Sequence, residues 1–310
     1  MLGLVMLTGC TDNGPAPASP TATPPATVAS GAFVPGTGNR SGLVDIGAGR
    51  ELHLECSGAG APTVVLISGV GDTGDSWRYS RPVGAAATAP TKNDSAVYQR
   101  TAGFTRVCTY DRPGTRLADG TVGKSSAVTQ PTTVKGDAAD LRALLSAAKI
   151  RKPYLLVGHS WGGFIATMYA RAYPDDVAGL VLVDPVSQYL QTTVPPEAWS
   201  EEIASAARKL GRDPGAENPD FPTSITQIDA TKPLRPMPVS VLTSDHPWDF
   251  LGRGDPGSDW TQWLDAQTLL SASLHATHIT QTNSGHAIQV ENPALVADQI
   301  CAVARPTKAC

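Results

Sequence analysis

Residues 153–163 constrain this chain more than any other stretch: PYLLVGHSWGG, continuing into FIATMYARAYP. An apolar run of strand length meets Gly158-His159-Ser160-Trp161-Gly162 and passes, without a linker, into a helical period that stops at Pro174. A Gly-x-Ser-x-Gly pattern between a strand and a helix demands a sharp turn. The serine must take a backbone conformation that L-residues avoid, and side chains at 158 or 162 would strike the adjoining strand and helix. Ser160 is therefore expected to project at a helix N-terminus, where backbone N–H groups and the helix dipole favour negative charge. A small-residue bend would use the same letters, but the strand before and the helix after favour the strained turn.

The rest of the chain repeats this alternation. Apolar runs bounded by turn residues recur at TVVLISG (63–69), TRVCTYDRPG (105–114), GLVLVDP (179–185), PVSVLTSD (238–245) and THITQTNSGH (277–286). GLVDIG and ELHLECSG, joined through Ala48-Gly49-Arg50, read as a hairpin. Helical periods lie between the strands. One places Val134, Ala138, Leu141, Leu144, Leu145 and Ala148 on a single face, another repeats Trp260, Trp263, Leu264 and Leu270, and the last opens on Pro293. Strands alternating with helices predict an α/β fold with a mostly parallel central sheet flanked by helices. Residues 186–237 interrupt the alternation with PPEAWSEEIASAARKLG and proline-rich sequence, and are expected to form a lid over the strand ends.

At 310 residues, with 41% apolar and 17% charged positions, the chain has ample material for a buried core. A net charge of -4 offers no basic stripe, which argues against nucleic acid as a partner. No stretch approaches the roughly 18 consecutive apolar residues of a membrane span.

The beginning of the chain has a different character. MLGLVMLTGC is a short apolar run closing on Leu-Thr-Gly-Cys, and it resembles a bacterial lipoprotein signal. The resemblance implies lipidation of Cys10, a membrane anchor through that lipid, and an exported, cell-envelope location. Residues 11–40, rich in Pro, Ala and Thr, cannot build a core and read as a tether leading to a domain over 41–310. Four further cysteines remain, Cys56, Cys108, Cys301 and Cys310, an even number suited to an oxidising compartment. Their spacing does not resemble a zinc site, so no metal is expected.

The motifs LISGVGDTGDSW, RVCTYDRPG, LLVGHSWGGFIA, GLVLVDP and NSGHAIQVENP together resemble the α/β-hydrolase family over residues 43–305. That resemblance implies a serine nucleophile at Ser160 and two oxyanion donors, the backbone N–H groups of Val70 and Trp161. Ser68-Gly69 stands where His-Gly is more common in the family. A serine hydroxyl needs a base, and among six histidines His286 is best placed, in a loop between the last strand and the last helix. His159 adjoins Ser160 and is expected to point elsewhere, while His53, His275 and His278 fall at element ends and read as structural.

The acid that orients His286 has two candidates. Asp184 ends the GLVLVDP strand 24 residues after Ser160, a separation resembling the haloalkane dehalogenase branch; Asp245 ends the next strand, with Asp249 further on. Asp111 and Arg112 in YDRPG read as a structural turn. The family places the strands bearing Cys56 and Cys108 side by side, which implies a bond between them and leaves Cys301 for Cys310.

These readings converge on a serine hydrolase acting on a small-molecule ester or related acyl bond without a metal or cofactor. Trp199, Phe221 and Trp248 suggest an apolar or aromatic group in the substrate. The rival expectation is a non-catalytic binding or envelope protein on the same fold.

Overall fold

The computed structural model describes residues 33–36, 38–82, 88–251, 254, 257 and 259–305. The apolar runs become one eight-stranded sheet. Its strands are β1 (Arg40–Gly47), β2 (Arg50–Ser57), β3 (Thr63–Ile67) and β4 (Val107–Tyr110), then β5 (Tyr154–His159), β6 (Val177–Val183), β7 (Val239–Leu242) and β8 (Thr277–Ile279). They lie in the order β1-β2-β4-β3-β5-β6-β7-β8. The β1–β2 and β2–β4 pairs are antiparallel and every other pair is parallel. Every residue of β3, β4, β5 and β7 is buried, which explains why these strands read as continuous apolar runs rather than alternating ones.

The helices are α1 (Val97–Ala102), α2 (Val134–Ala147), α3 (Trp161–Ala172), α4 (Leu190–Thr193) and α5 (Pro196–Arg212), followed by α6 (Phe221–Asp229), α7 (Trp260–Ser273), α8 (Ile288–Glu291) and α9 (Pro293–Ala304). Each sheet face carries its own core. Leu141, Leu144 and Leu145 of α2, Phe164 and Ile165 of α3, and Leu270 of α7 pack on one face. Val97 of α1 and Val296 and Ile300 of α9 pack on the other. Helix starts follow side-chain chemistry: Thr133 accepts from Gly136 N to cap α2, and Asn292 accepts from Leu295 N to cap α9.

After β3 the chain turns to β4 on one side, and β5 lies on the other. That reversal leaves a crevice beyond the carboxyl ends of β3 and β5, the position where open α/β sheets bind ligands. Between β6 and β7 the insert supplies α4, α5 and α6, as the break in alternation predicts.

Two sequence expectations change in detail, and the Cys56–Cys108 bond that the family resemblance implies is present. Phe33, assigned to the tether, is buried in the core, and its N–H donates to Leu43 O at 2.8 Å, so packing begins ahead of residue 41. The last apolar run yields only Thr277–Ile279 as strand, because the following residues form a loop tied by side chains. Cys56 and Cys108 face each other across β2 and β4 and are disulfide-bonded. Cys301 is disulfide-bonded as well, while Cys310, like Cys10 and the rest of 1–32, lies outside the described residues.

Candidate active site

Ser160 joins β5 to α3 with φ 52° and ψ -121°, a strained conformation for a residue with a side chain. Gly158 and Gly162, two positions away on either side, permit the turn only because they lack side chains. A Cβ at Gly158 would fall on the carbonyl of Gly162, and one at Gly162 would fall on the carbonyl of Ile67 in β3. The elbow therefore wedges α3 against the end of β3. Ser160 N donates to Val183 O at 3.1 Å, and Ser160 O accepts from Gly163 N and Val186 N. Trp161 is the first residue of α3, so its N–H has no partner within the helix.

Asp184 follows β6 directly, at φ 42° and fully buried. Its Oδ2 accepts from His286 Nδ1 at 2.7 Å. The remaining carboxylate valences are filled by Ser244 N at 2.9 Å, by the Ser244 hydroxyl, and by the Trp263 indole N–H at 3.0 Å. A buried carboxylate with this set of donors is held in one orientation and stays compensated away from water.

Asp245, the alternative acid, does not reach His286. It accepts from Asn283 N at 2.9 Å and Ser284 N at 2.8 Å, fastening the loop that carries His286. Burial works to raise its pKa, but the N–H groups of Ser284 and Asn283, with His246 and Thr282, outweigh burial and hold it below the ordinary carboxylate range. Asp249, further along, accepts from Gly254 N at 2.6 Å. Glu291 adds a second tie to the same loop by accepting from Gly285 N and the Ser284 hydroxyl.

The His159 ring is turned to the loop that carries His286. Its Nε2–H donates to the backbone carbonyl of His286 at 3.0 Å, and the two rings lie 4.6 Å apart. Burial, reinforced by the nearby His286, lowers its pKa well below the usual histidine value. His53 bonds to the Ser41 hydroxyl and His278 to the Thr243 hydroxyl, both away from Ser160.

Ser160 and His286 open into one cavity of about 710 Å³. Val186, Leu190, Trp199, Phe221, Trp248 and Trp263 give it an apolar wall. The loop after β3, Gly69, Val70, Gly71 and Asp72, also lines it, as does Glu217. Burial and the neighbouring Glu217 raise the Asp72 pKa against the opposing pull of Arg112. Trp199 and Phe221, both from the insert, line the cavity.

Four residues of the site escape sequence reasoning. Ser244 and Trp263 complete the Asp184 shell, and Asp137 in α2 accepts from the Trp161 indole N–H at 3.0 Å. Glu217 forms a buried pair with Arg112, the residue read as part of a structural turn. Only Asp137 leaves a trace in the sequence, an acid on the buried side of α2 next to Ala138.

The sequence profile of the alpha/beta hydrolase family matches residues 64–299. Protein YqjL of Bacillus subtilis is 26% identical over 242 residues, which cover 77% of this chain and 82% of that protein. The human (lyso)-N-acylphosphatidylethanolamine lipase is 48% identical over 63 residues, covering 19% of this chain and 18% of the lipase. Among solved structures, a thermophilic esterase from Thermogutta terrifontis superposes with a TM-score of 0.56 at 17% identity, over 84% of this chain and 96% of the esterase.

Proposed function

The chain belongs to the α/β hydrolase family, and on that premise we propose that it is a serine hydrolase cleaving an ester or related acyl bond through an acyl-enzyme. The observation that carries this reading is the 2.7 Å contact between His286 Nδ1 and buried Asp184, beside a strained Ser160 in the same cavity.

In the proposed reaction Ser160 Oγ attacks the acyl carbon while His286 Nε2 takes its proton. Asp184 accepts from Nδ1–H throughout, fixing the tautomer and stabilising the imidazolium. The N–H groups of Val70 and Trp161 receive the oxyanion, each such donor being worth about 3 to 4 kcal/mol in a site closed to water. His286 then protonates the departing group. In the second half, water attacks the acyl-enzyme as His286 takes its proton, and Ser160 recovers its own.

The apolar wall supports a substrate whose acyl portion is uncharged and hydrophobic, seated against Trp199, Phe221 and Trp248. Within the acyl-transfer class we favour carboxylic esters. Labelling with a fluorophosphonate probe tests the nucleophile: the native protein reacts and Ser160→Ala does not. Labelling that survives Ser160→Ala would remove Ser160 as the nucleophile, and none in the native protein would return the chain to a non-catalytic binding role. We also propose a lipid anchor on Cys10, for which incorporation of a labelled fatty acid, abolished by Cys10→Ser, is the measure.

A further inference from the structure

We propose that Glu217, contributed by the insert, is a positioning residue that sets the oxyanion hole by orienting the two peptide units flanking Val70. The inference rests on the serine hydrolase reading above. Glu217 lies between α5 and α6, in a segment with no motif that marks it in the sequence.

Its carboxylate enters the body of the protein beneath the loop after β3. Oε1 accepts from Arg112 Nε at 2.5 Å, and Oε2 accepts from Arg112 Nη2 at 3.0 Å and from Gly71 N at 2.6 Å. Arg112 continues the network, donating from Nη1 to Ser68 O at 2.9 Å and from Nη2 to Gly69 O at 2.6 Å. The side chains of this pair are 2% and 1% exposed.

Peptide planarity turns those contacts into an orientation. In a trans peptide the C=O and N–H point in opposite directions. Holding Gly69 O toward Arg112 directs the N–H of Val70, on the same peptide unit, away from the arginine. Holding Gly71 N–H toward Glu217 fixes the following unit in the opposite sense. Val70 thus sits between two peptide planes, one set by Arg112 and the other by Glu217, and Glu217 also holds Arg112.

The insert is seated so that Glu217 cannot drift. Its N–H donates to Gly114 O at 3.0 Å, Asn218 N donates to Gln130 Oε1 at 3.0 Å, and Asp220 N donates to Thr132 O at 2.8 Å. Gly114 has φ +80°, and a Cβ there would lie 2.6 Å from Glu217 N, so the YDRPG turn ends in glycine where the insert backbone rests on it. A buried ion pair is a poor source of net stability, since desolvation offsets most of the attraction. What it does supply is direction, which an oxyanion donor requires.

The experiment compares Glu217→Gln and Glu217→Ala with the native protein and Ser160→Ala. It measures kcat and KM on a p-nitrophenyl ester, the fluorophosphonate labelling rate, and affinity for an aryl trifluoromethyl ketone as oxyanion mimic. Glu217→Ala is expected to lower kcat about a hundredfold, within the range for loss of an oxyanion donor, with KM changed less than about threefold and ketone affinity falling in step with kcat. Glu217→Gln keeps an acceptor for Gly71 N–H and is expected to lose about tenfold, with the same pattern. Should Glu217→Ala fail to fold by circular dichroism, the glutamine variant decides alone. Unchanged kcat, or a rise in KM at constant kcat, would overturn the inference. Absence of Ser160-dependent turnover in the native protein would instead remove the hydrolase reading on which it stands.

Discussion

The indole of Trp248 lies flat against the imidazole of His286, ring centroids 3.8 Å apart and planes inclined by 20°. Trp263 stands edge-on to both rings, at 4.9 Å from Trp248 and 5.7 Å from His286, while its N–H holds Asp184. The histidine is thus fixed in plane by Asp184 and on one face by Trp248. Trp248→Ala removes an aromatic contact worth about 0.5–1.5 kcal/mol, so kcat/KM on an ester substrate is expected to fall about two- to tenfold. Trp248→Phe, which keeps a ring there, should retain most of the activity; equal kinetics for the alanine variant would deny the stack a positioning role.

The two candidate acids separate by mutation. Asp184→Asn is expected to reduce kcat about 10⁴-fold, because an amide in place of the carboxylate no longer holds the imidazole in the working tautomer. Asp245→Asn should cost less than about tenfold in kcat, since its contacts run to Asn283 N and Ser284 N rather than to His286. Parallel steady-state kinetics on the two variants provide the check, and a reversed order would reassign the acid.

Gly158→Ala and Gly162→Ala are expected to abolish soluble folded protein, or to lower stability by more than about 3 kcal/mol. In each case the added Cβ meets backbone carbonyl groups, which no rotamer change can move aside. Denaturant melts of both variants measure the effect. Gly120→Ala is the useful contrast: its Cβ would meet nothing within 4 Å, and only its φ of +85° opposes the change.

Asp137 gives stability a pH dependence of its own. Burial, and then the neighbouring Glu217 carboxylate, push its pKa up to about 7 against the opposing effects of Arg112, the Trp161 indole and Thr132. The folded state therefore binds this proton more tightly than the unfolded chain. The contribution is fully present below about pH 4, and it is lost as pH rises to about 7, at a slope of at most 1.4 kcal/mol per unit. Asp137→Asn keeps an acceptor for the Trp161 N–H and removes the titration. Urea melts between pH 4.5 and 7.5 should show stability falling more steeply with pH in the native protein than in this variant, and identical slopes would contradict the assignment.

How far the site could be read from the chain depended on how local each constraint is. The turn at Ser160 is imposed by atoms of adjoining residues and of β3, so its glycines appear as a contiguous pattern. The parallel strands show themselves through composition, because burial on two faces excludes polar residues over their length. The choice between Asp184 and Asp245 had no local signature. Both end buried strands, and what distinguishes them is which carboxylate faces the loop after β8. Glu217 was less visible still, since its partners, Gly71 and Arg112, lie 146 and 105 residues away in the chain.

By itself, then, the sequence determined the alternating architecture, the insert between β6 and β7, the strained turn at Ser160 and the loop position of His286. Steric exclusion and hydrophobic burial write these features into neighbouring residues. Tertiary structure alone decided that Asp184 meets His286, that Asp245 fastens a loop, that Trp248 covers the imidazole, and that the insert reaches the Ser68–Gly71 backbone through Glu217. Those outcomes are set by hydrogen-bond distance and ring contact, which depend on the directions of side chains from separate strands and loops rather than on their order along the chain.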